Sequence, residues 1–242
     1  MIKRFLSLQL NCVLVTVVLV GCSRSSPTSN NSFSSAMPLV SESGSSSGAA
    51  VRSRIVVFGD SLTAGLGLSI DEAYPAQLQG LAESSGYSVE IVPRGESGGT
   101  TAGGVRRLDW SLDGNIRVVI VALGGNDGLR GLPVEQMRDN LSAVVERIRA
   151  RGARVVLAGM EAPPNFGFEY TSQFRQVFRT VAEEYDLVFV PFLLEGVAGV
   201  AELNQDDGIH PNAAGAKRVA ENLWTALEPL LSEHVGRSDV MR

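Results

Sequence analysis

The sequence predicts an α/β fold, with one parallel sheet covered by helices on both faces. Three observations carry that expectation. Five short apolar runs recur along the chain, at Ile55–Phe58, Ser88–Val92, Ile116–Leu123, Arg154–Ala158 and Leu187–Val190. Stretches with helical spacing of apolar residues separate them, and such alternation favours parallel strands joined by crossover helices. The 242 residues suit one sizeable core, and no internal repeat interrupts them.

The first run, Ile55-Val56-Val57-Phe58, ends at Gly59-Asp60-Ser61. It reads as a buried strand entering a tight turn that presents a hydroxyl at the strand's carboxyl end, where open α/β sheets collect their chemistry. Asp60 is read as stabilising that turn. Tyr74, Leu78 and Leu81 then mark a helix over 72–85, closed by Gly86. After the second run, Pro93–Thr101 reads as a glycine-rich loop leading to a helix that carries Val105 and Leu108. The third run is broken by Gly124-Gly125-Asn126-Asp127-Gly128. Beyond Pro133, Val134, Met137, Leu141, Val144, Val145 and Ile148 form one apolar face, opposite Arg138, Glu146, Arg147 and Arg149. Proline near the start and Gly152 past the end frame that helix. A loop over 160–167 and a helix over 169–185 follow the fourth run. After the fifth, Asp206-Asp207-Gly208-Ile209-His210-Pro211 precedes a final helix through Ala216, Ala220, Leu223 and Leu227, which Pro229 is expected to end or kink.

The first residues are read as a targeting segment. Lys3 and Arg4 precede an apolar stretch from Phe5 to Val20, too short and wrongly flanked for a membrane span. Its end, Leu19-Val20-Gly21-Cys22, resembles a bacterial lipobox, whose cysteine is lipidated and becomes the mature N-terminus. Cys22 is then the expected lipid anchor, the alternatives being an ordinary signal cleaved nearby or an uncleaved anchor; with the lipobox, Cys12 leaves with the leader and no disulfide is expected. By resemblance to lipoproteins of enterobacterial type, Ser23 after the cysteine implies sorting to the periplasmic side of an outer membrane, if the source is Gram-negative. Residues 22–53 are serine-rich and poor in large apolar groups, the composition of a flexible tether. The expected organisation is a leader over 1–21, a tether over 22–53, a catalytic domain over 54–233 and a tail over 234–242. With a formal charge of −5 and no basic patch, nothing points to nucleic acid.

A serine nucleophile needs a base, and the base needs an orienting group. The chain has two histidines. His234 lies in a polar tail, so His210 is the base if histidine serves. Asp207, three residues earlier, is spaced to reach Nδ1 of the same ring and leave Nε2 for Ser61; its alternative role is to cap the following helix. Candidate oxyanion donors are the N–H groups of Ser61 and Gly98 and the amide of Asn126, each beyond a strand end. For Gly98 and Asn126 the alternative is ordinary turn chemistry.

Taken together, Gly59-Asp60-Ser61-Leu62, Ser97-Gly98, Gly124-Gly125-Asn126-Asp127 and Asp207-Gly208-Ile209-His210-Pro211 resemble, in order, the four blocks of the GDSL/SGNH hydrolases, particularly the thioesterase-like members. The resemblance implies a flavodoxin-like three-layer sandwich with a five-stranded parallel sheet. It implies Ser61, His210 and Asp207 as the catalytic set, Ser61, Gly98 and Asn126 as the oxyanion hole, and no metal or cofactor. It departs from the family at Pro93, where an asparagine is common, and that puts the path of the second block in question. In thioesterase-like members the loop matching 161–170 borders an acyl channel, so Pro164, Phe166 and Tyr170 are expected to bind substrate, or else to pack the loop. The expected function is a monomeric, lipid-anchored serine esterase acting on fatty acyl esters, lysophospholipids or thioesters. The alternatives are a carbohydrate O-acetyl esterase and a binding lipoprotein without catalysis.

Overall fold

The computed structural model describes residues 52–235. The expected leader, the Cys22 anchor, most of the tether and most of the tail lie outside them. Five strands, β1 (Ser53–Gly59), β2 (Val89–Gly95), β3 (Ile116–Ala122), β4 (Arg154–Ala158) and β5 (Val188–Val190), form one sheet in the order β2-β1-β3-β4-β5. Every pairing is parallel. From β1 the chain steps outward to β2, then crosses back to place β3 on the other side of β1. The carboxyl ends of β1 and β3 therefore flank the switch point, where a crevice opens.

Side chains alternate along the strands because successive residues of a strand face opposite ways. Ile55, Val57, Val118 and Ile120 pack on one face beneath α2 (Tyr74–Ser84) and α7 (Ala213–His234). Val56, Phe58, Val119 and Val121 pack on the other, beneath α3 (Thr101–Ser111), α5 (Val134–Ala150) and α6 (Gly167–Glu184). Both faces are thus buried, which is why the strands read as continuous apolar runs rather than alternating ones. Two one-turn helices stand at the crevice: α1 (Ser61–Ala64) after β1 and α4 (Gly125–Leu129) after β3.

Four local expectations are corrected. Pro93 and Gly95 belong to β2 rather than to a loop. That strand is the sheet's edge, with a neighbour on one side only, and proline is tolerated there. The Gly124–Gly128 segment is not a simple break, because residues from Gly125 form α4. Helix α6 begins at Gly167, two residues before the expected start. Helix α7 runs on through Pro229 to His234, so His234 is its last residue rather than part of a tail. The turn after the proline is held by tertiary contacts: Leu230 and Leu231 are buried, and Ser232 Oγ lies 2.5 Å from the Tyr87 hydroxyl. Those contacts offset the backbone bond that proline removes.

Candidate active site

The turn after β1 is tight because Gly59 has no side chain. A Cβ there would meet Thr63 Oγ1 and come within 2.9 Å of the Ala122 carbonyl on the neighbouring strand. Asp60 follows as the N-cap of α1, its Oδ1 accepting from Leu62 N at 3.1 Å. Ser61 is the first residue of that helix and lines the crevice.

His210 reaches Ser61 from the loop before α7. Its Nε2 lies 2.9 Å from Ser61 Oγ, and its Nδ1 lies 2.6 Å from Asp207 Oδ2. The other carboxylate oxygen of Asp207 accepts from His210 N at 3.0 Å and Ile209 N at 2.9 Å. These two backbone N–H groups, followed by the imidazole bond, pull the Asp207 carboxyl down to about 2. Asp207 therefore remains ionised at any ordinary working pH. It does not cap α7; Asn212 does, accepting from Gly215 N at 3.1 Å. Gln205 ties this loop to the nucleophile's side of the crevice, donating from Nε2 to Leu66 O at 2.8 Å and to Pro211 O at 2.9 Å.

Gly98 stands at the mouth of the loop after β2 with a positive φ of 76°, a conformation glycine adopts without strain. Asn126, on α4, donates from Nδ2 to Asp60 Oδ2 at 3.2 Å. Two contacts hold the Gly98 segment against α4. The buried Asp127 carboxylate accepts from Thr101 N at 2.9 Å and from Thr101 Oγ1 at 2.6 Å, and Arg130 donates from Nη2 to Gly98 O at 3.0 Å. Sequence patterns single out Gly98 and Asn126 but not these ties, which join residues far apart in the chain. Asp60 itself is nearly enclosed, and burial pushes its carboxyl up to about 6, against the lowering pull of the Leu62 N–H and the Asn126 amide.

Ser61, Gly98, Asn126 and His210 all line one cleft of about 610 Å³. Away from this polar end its wall is largely apolar, with Leu66, Met160, Pro164, Phe192, Leu194 and Ile209. Of the three expected substrate contacts, only Pro164 lines it. Phe166 and Tyr170 point elsewhere: their rings pack at 5.3 Å, and the Tyr170 hydroxyl donates to Leu132 O at 2.9 Å. They fasten the 160s loop to the connection between α4 and α5, so the packing alternative describes these two. Phe192, Leu194 and Leu66 are wall residues without a sequence signal, since each belongs to an unremarkable apolar or turn segment.

The arrangement can deprotonate a serine hydroxyl through an imidazole backed by a carboxylate, and the residues expected to supply hydrogen-bond donors line the same cleft. No group of three or more His, Cys, Asp or Glu among the described residues is placed to hold a metal ion.

Comparison with known proteins agrees with this chemistry. Residues 57–218 match the model of the GDSL-like lipase/acylhydrolase family. The chain is 43% identical over 178 residues to esterase TesA of Pseudomonas aeruginosa, covering 73% of this chain and 89% of that one. It is 34% identical over 185 residues to thioesterase 1/protease 1/lysophospholipase L1 of Escherichia coli, covering 76% and 88% respectively. A crystal structure of TesA superposes with a TM-score of 0.71 at 42% identity, covering 74% of this chain and all of that one.

Proposed function

The chain belongs to the GDSL-like lipase/acylhydrolase family and is a carboxylic-ester hydrolase of the serine esterase type, and on that premise we propose that it cleaves fatty acyl esters, lysophospholipids among them, through an acyl-enzyme on Ser61. The observation that carries this reading is the 2.9 Å contact from His210 Nε2 to Ser61 Oγ at the polar end of an otherwise apolar cleft.

In this mechanism Ser61 Oγ attacks the acyl carbon as its proton passes to His210 Nε2. The carbonyl oxygen becomes an oxyanion, accepting from the Ser61 and Gly98 N–H groups and the Asn126 amide. Asp207 stays ionised and faces the imidazolium that forms, holding the ring so that Nε2 meets the serine. The tetrahedral species collapses, the leaving oxygen takes the proton from Nε2, and the alcohol departs. Water then attacks the acyl-enzyme with His210 again accepting a proton. The fatty acid leaves and Ser61 Oγ is reprotonated. The same steps serve a thioester, with sulfur as the leaving atom.

The largely apolar wall favours an acyl chain over a polar sugar at this end of the substrate. A panel of esters of increasing acyl length tests the reading. Hydrolysis of long as well as short chains is expected; activity confined to acetyl esters would overturn it in favour of a carbohydrate O-acetyl esterase. We further propose that the enzyme is held in the cell envelope by lipid on Cys22, a reading supported by the Leu19–Cys22 pattern. Mass analysis of the mature N-terminus tests that directly.

A further inference from the structure

Asp60 makes more contacts than a turn residue requires. Capping α1 needs only one acceptor for Leu62 N, and serine or asparagine provides that without a charge. Here the cap is an acid only 4% exposed, although enclosing a carboxylate disfavours its ionised form. The second oxygen explains the choice. Asp60 Oδ2 accepts from Asn126 Nδ2 at 3.2 Å, and among the described residues the Asn126 side chain has no other hydrogen-bond partner. An ionised carboxylate only accepts, so the amide that meets it must present nitrogen. One N–H of that group is taken by Asp60 and the other remains for the cleft, which both residues line. Without the carboxylate, rotation of the amide by half a turn would place Oδ1 where a donor is needed. An acceptor there would repel an oxyanion.

We infer that Asp60 is a positioning residue of the reaction: it holds the Asn126 carboxamide with its nitrogen toward the acyl oxygen. The inference rests on the oxyanion role given to Asn126 above. Asparagine at position 60 keeps the cap but offers its own N–H₂ group to Asn126, which favours the reversed amide. Serine keeps the cap and leaves the amide unheld.

The test is a double-mutant cycle in kcat on one short-chain nitrophenyl ester, with thermal unfolding confirming that each variant is folded. The variants are Asp60→Asn, Asp60→Ser, Asn126→Ala and the two doubles. Asn126→Ala and Asp60→Asn should each lower kcat roughly 100-fold, the loss seen when one oxyanion donor is removed. KM should change far less. Asp60→Ser should fall between Asp60→Asn and wild type, and it carries the test should the asparagine variant not fold. In the Asn126→Ala background, either change at 60 should cost no more than about threefold further, because its target is gone. Losses that multiply, or wild-type kcat in Asp60→Asn, would overturn the inference. Wild-type kcat in Asn126→Ala would instead overturn the oxyanion reading on which it rests.

Discussion

Replacing Asp60 by asparagine should make the domain gain stability relative to wild type as pH rises, while making it a poorer enzyme. Burial raises the Asp60 carboxyl from 3.8 to about 6. A folded-state pKa above the unfolded one means that the stabilising contribution is present in full below 3.8 and is lost as pH rises through about 6. Asparagine does not titrate, keeps an acceptor for Leu62 N, and escapes that loss. At about 1.36 kcal/mol per unit, the variant should gain about 2 kcal/mol on wild type between pH 4 and pH 7.5. For a domain of this size that is roughly 4–8 °C in melting temperature. The assay is denaturant or thermal unfolding of both proteins at the two pH values, comparing differences so that every other titrating group cancels. A difference that does not change between pH 4 and pH 7.5 would refute the reasoning, because the carboxyl would then titrate alike in the folded and unfolded chains.

Other changes test neighbouring parts of the account. Asp207→Asn should keep the two backbone bonds from Ile209 and His210 but present N–H₂ to the imidazole, lowering kcat by about 10⁴ with the fold intact, as steady-state kinetics and circular dichroism can show. Ala198 lines the cleft from an exposed position, so Ala198→Phe should lower kcat/KM for long acyl esters by about tenfold relative to short ones in a chain-length panel. Gly59→Ala should destabilise the domain by about 3 kcal/mol, since the new Cβ meets Thr63 Oγ1 and the Ala122 carbonyl; chemical denaturation measures it.

Much of this molecule is legible in its sequence, and the division between what is and is not has physical causes. The strands read clearly because both faces of the sheet are covered, which leaves Ile55–Phe58 and Ile116–Leu123 as unbroken apolar runs. Ser61, His210 and Asp207 were nameable because their chemistry needs those side chains and the chain has two histidines in all. Proline misled twice, each time because its local rule was set aside by something distant. Pro93 is tolerated by the edge position of β2, and Pro229 by the burial of Leu230 and Leu231 beyond it. The support around the site was not legible, since the Asp60–Asn126 and Asp127–Thr101 bonds join segments 66 and 26 residues apart. The same holds for the cleft wall: the aromatic cluster of the 160s loop advertised itself, while Phe192 and Leu194 did not.

The central claim is that Ser61 carries the acyl group during turnover. Intact-protein and peptide mass spectrometry of enzyme acid-quenched during hydrolysis of a long-chain ester tests it most directly. A mass increase of one acyl group is expected, confined to the peptide containing Ser61 and absent in Ser61→Ala, which should also lose hydrolysis. An adduct on another residue, or undiminished hydrolysis by Ser61→Ala, would contradict it.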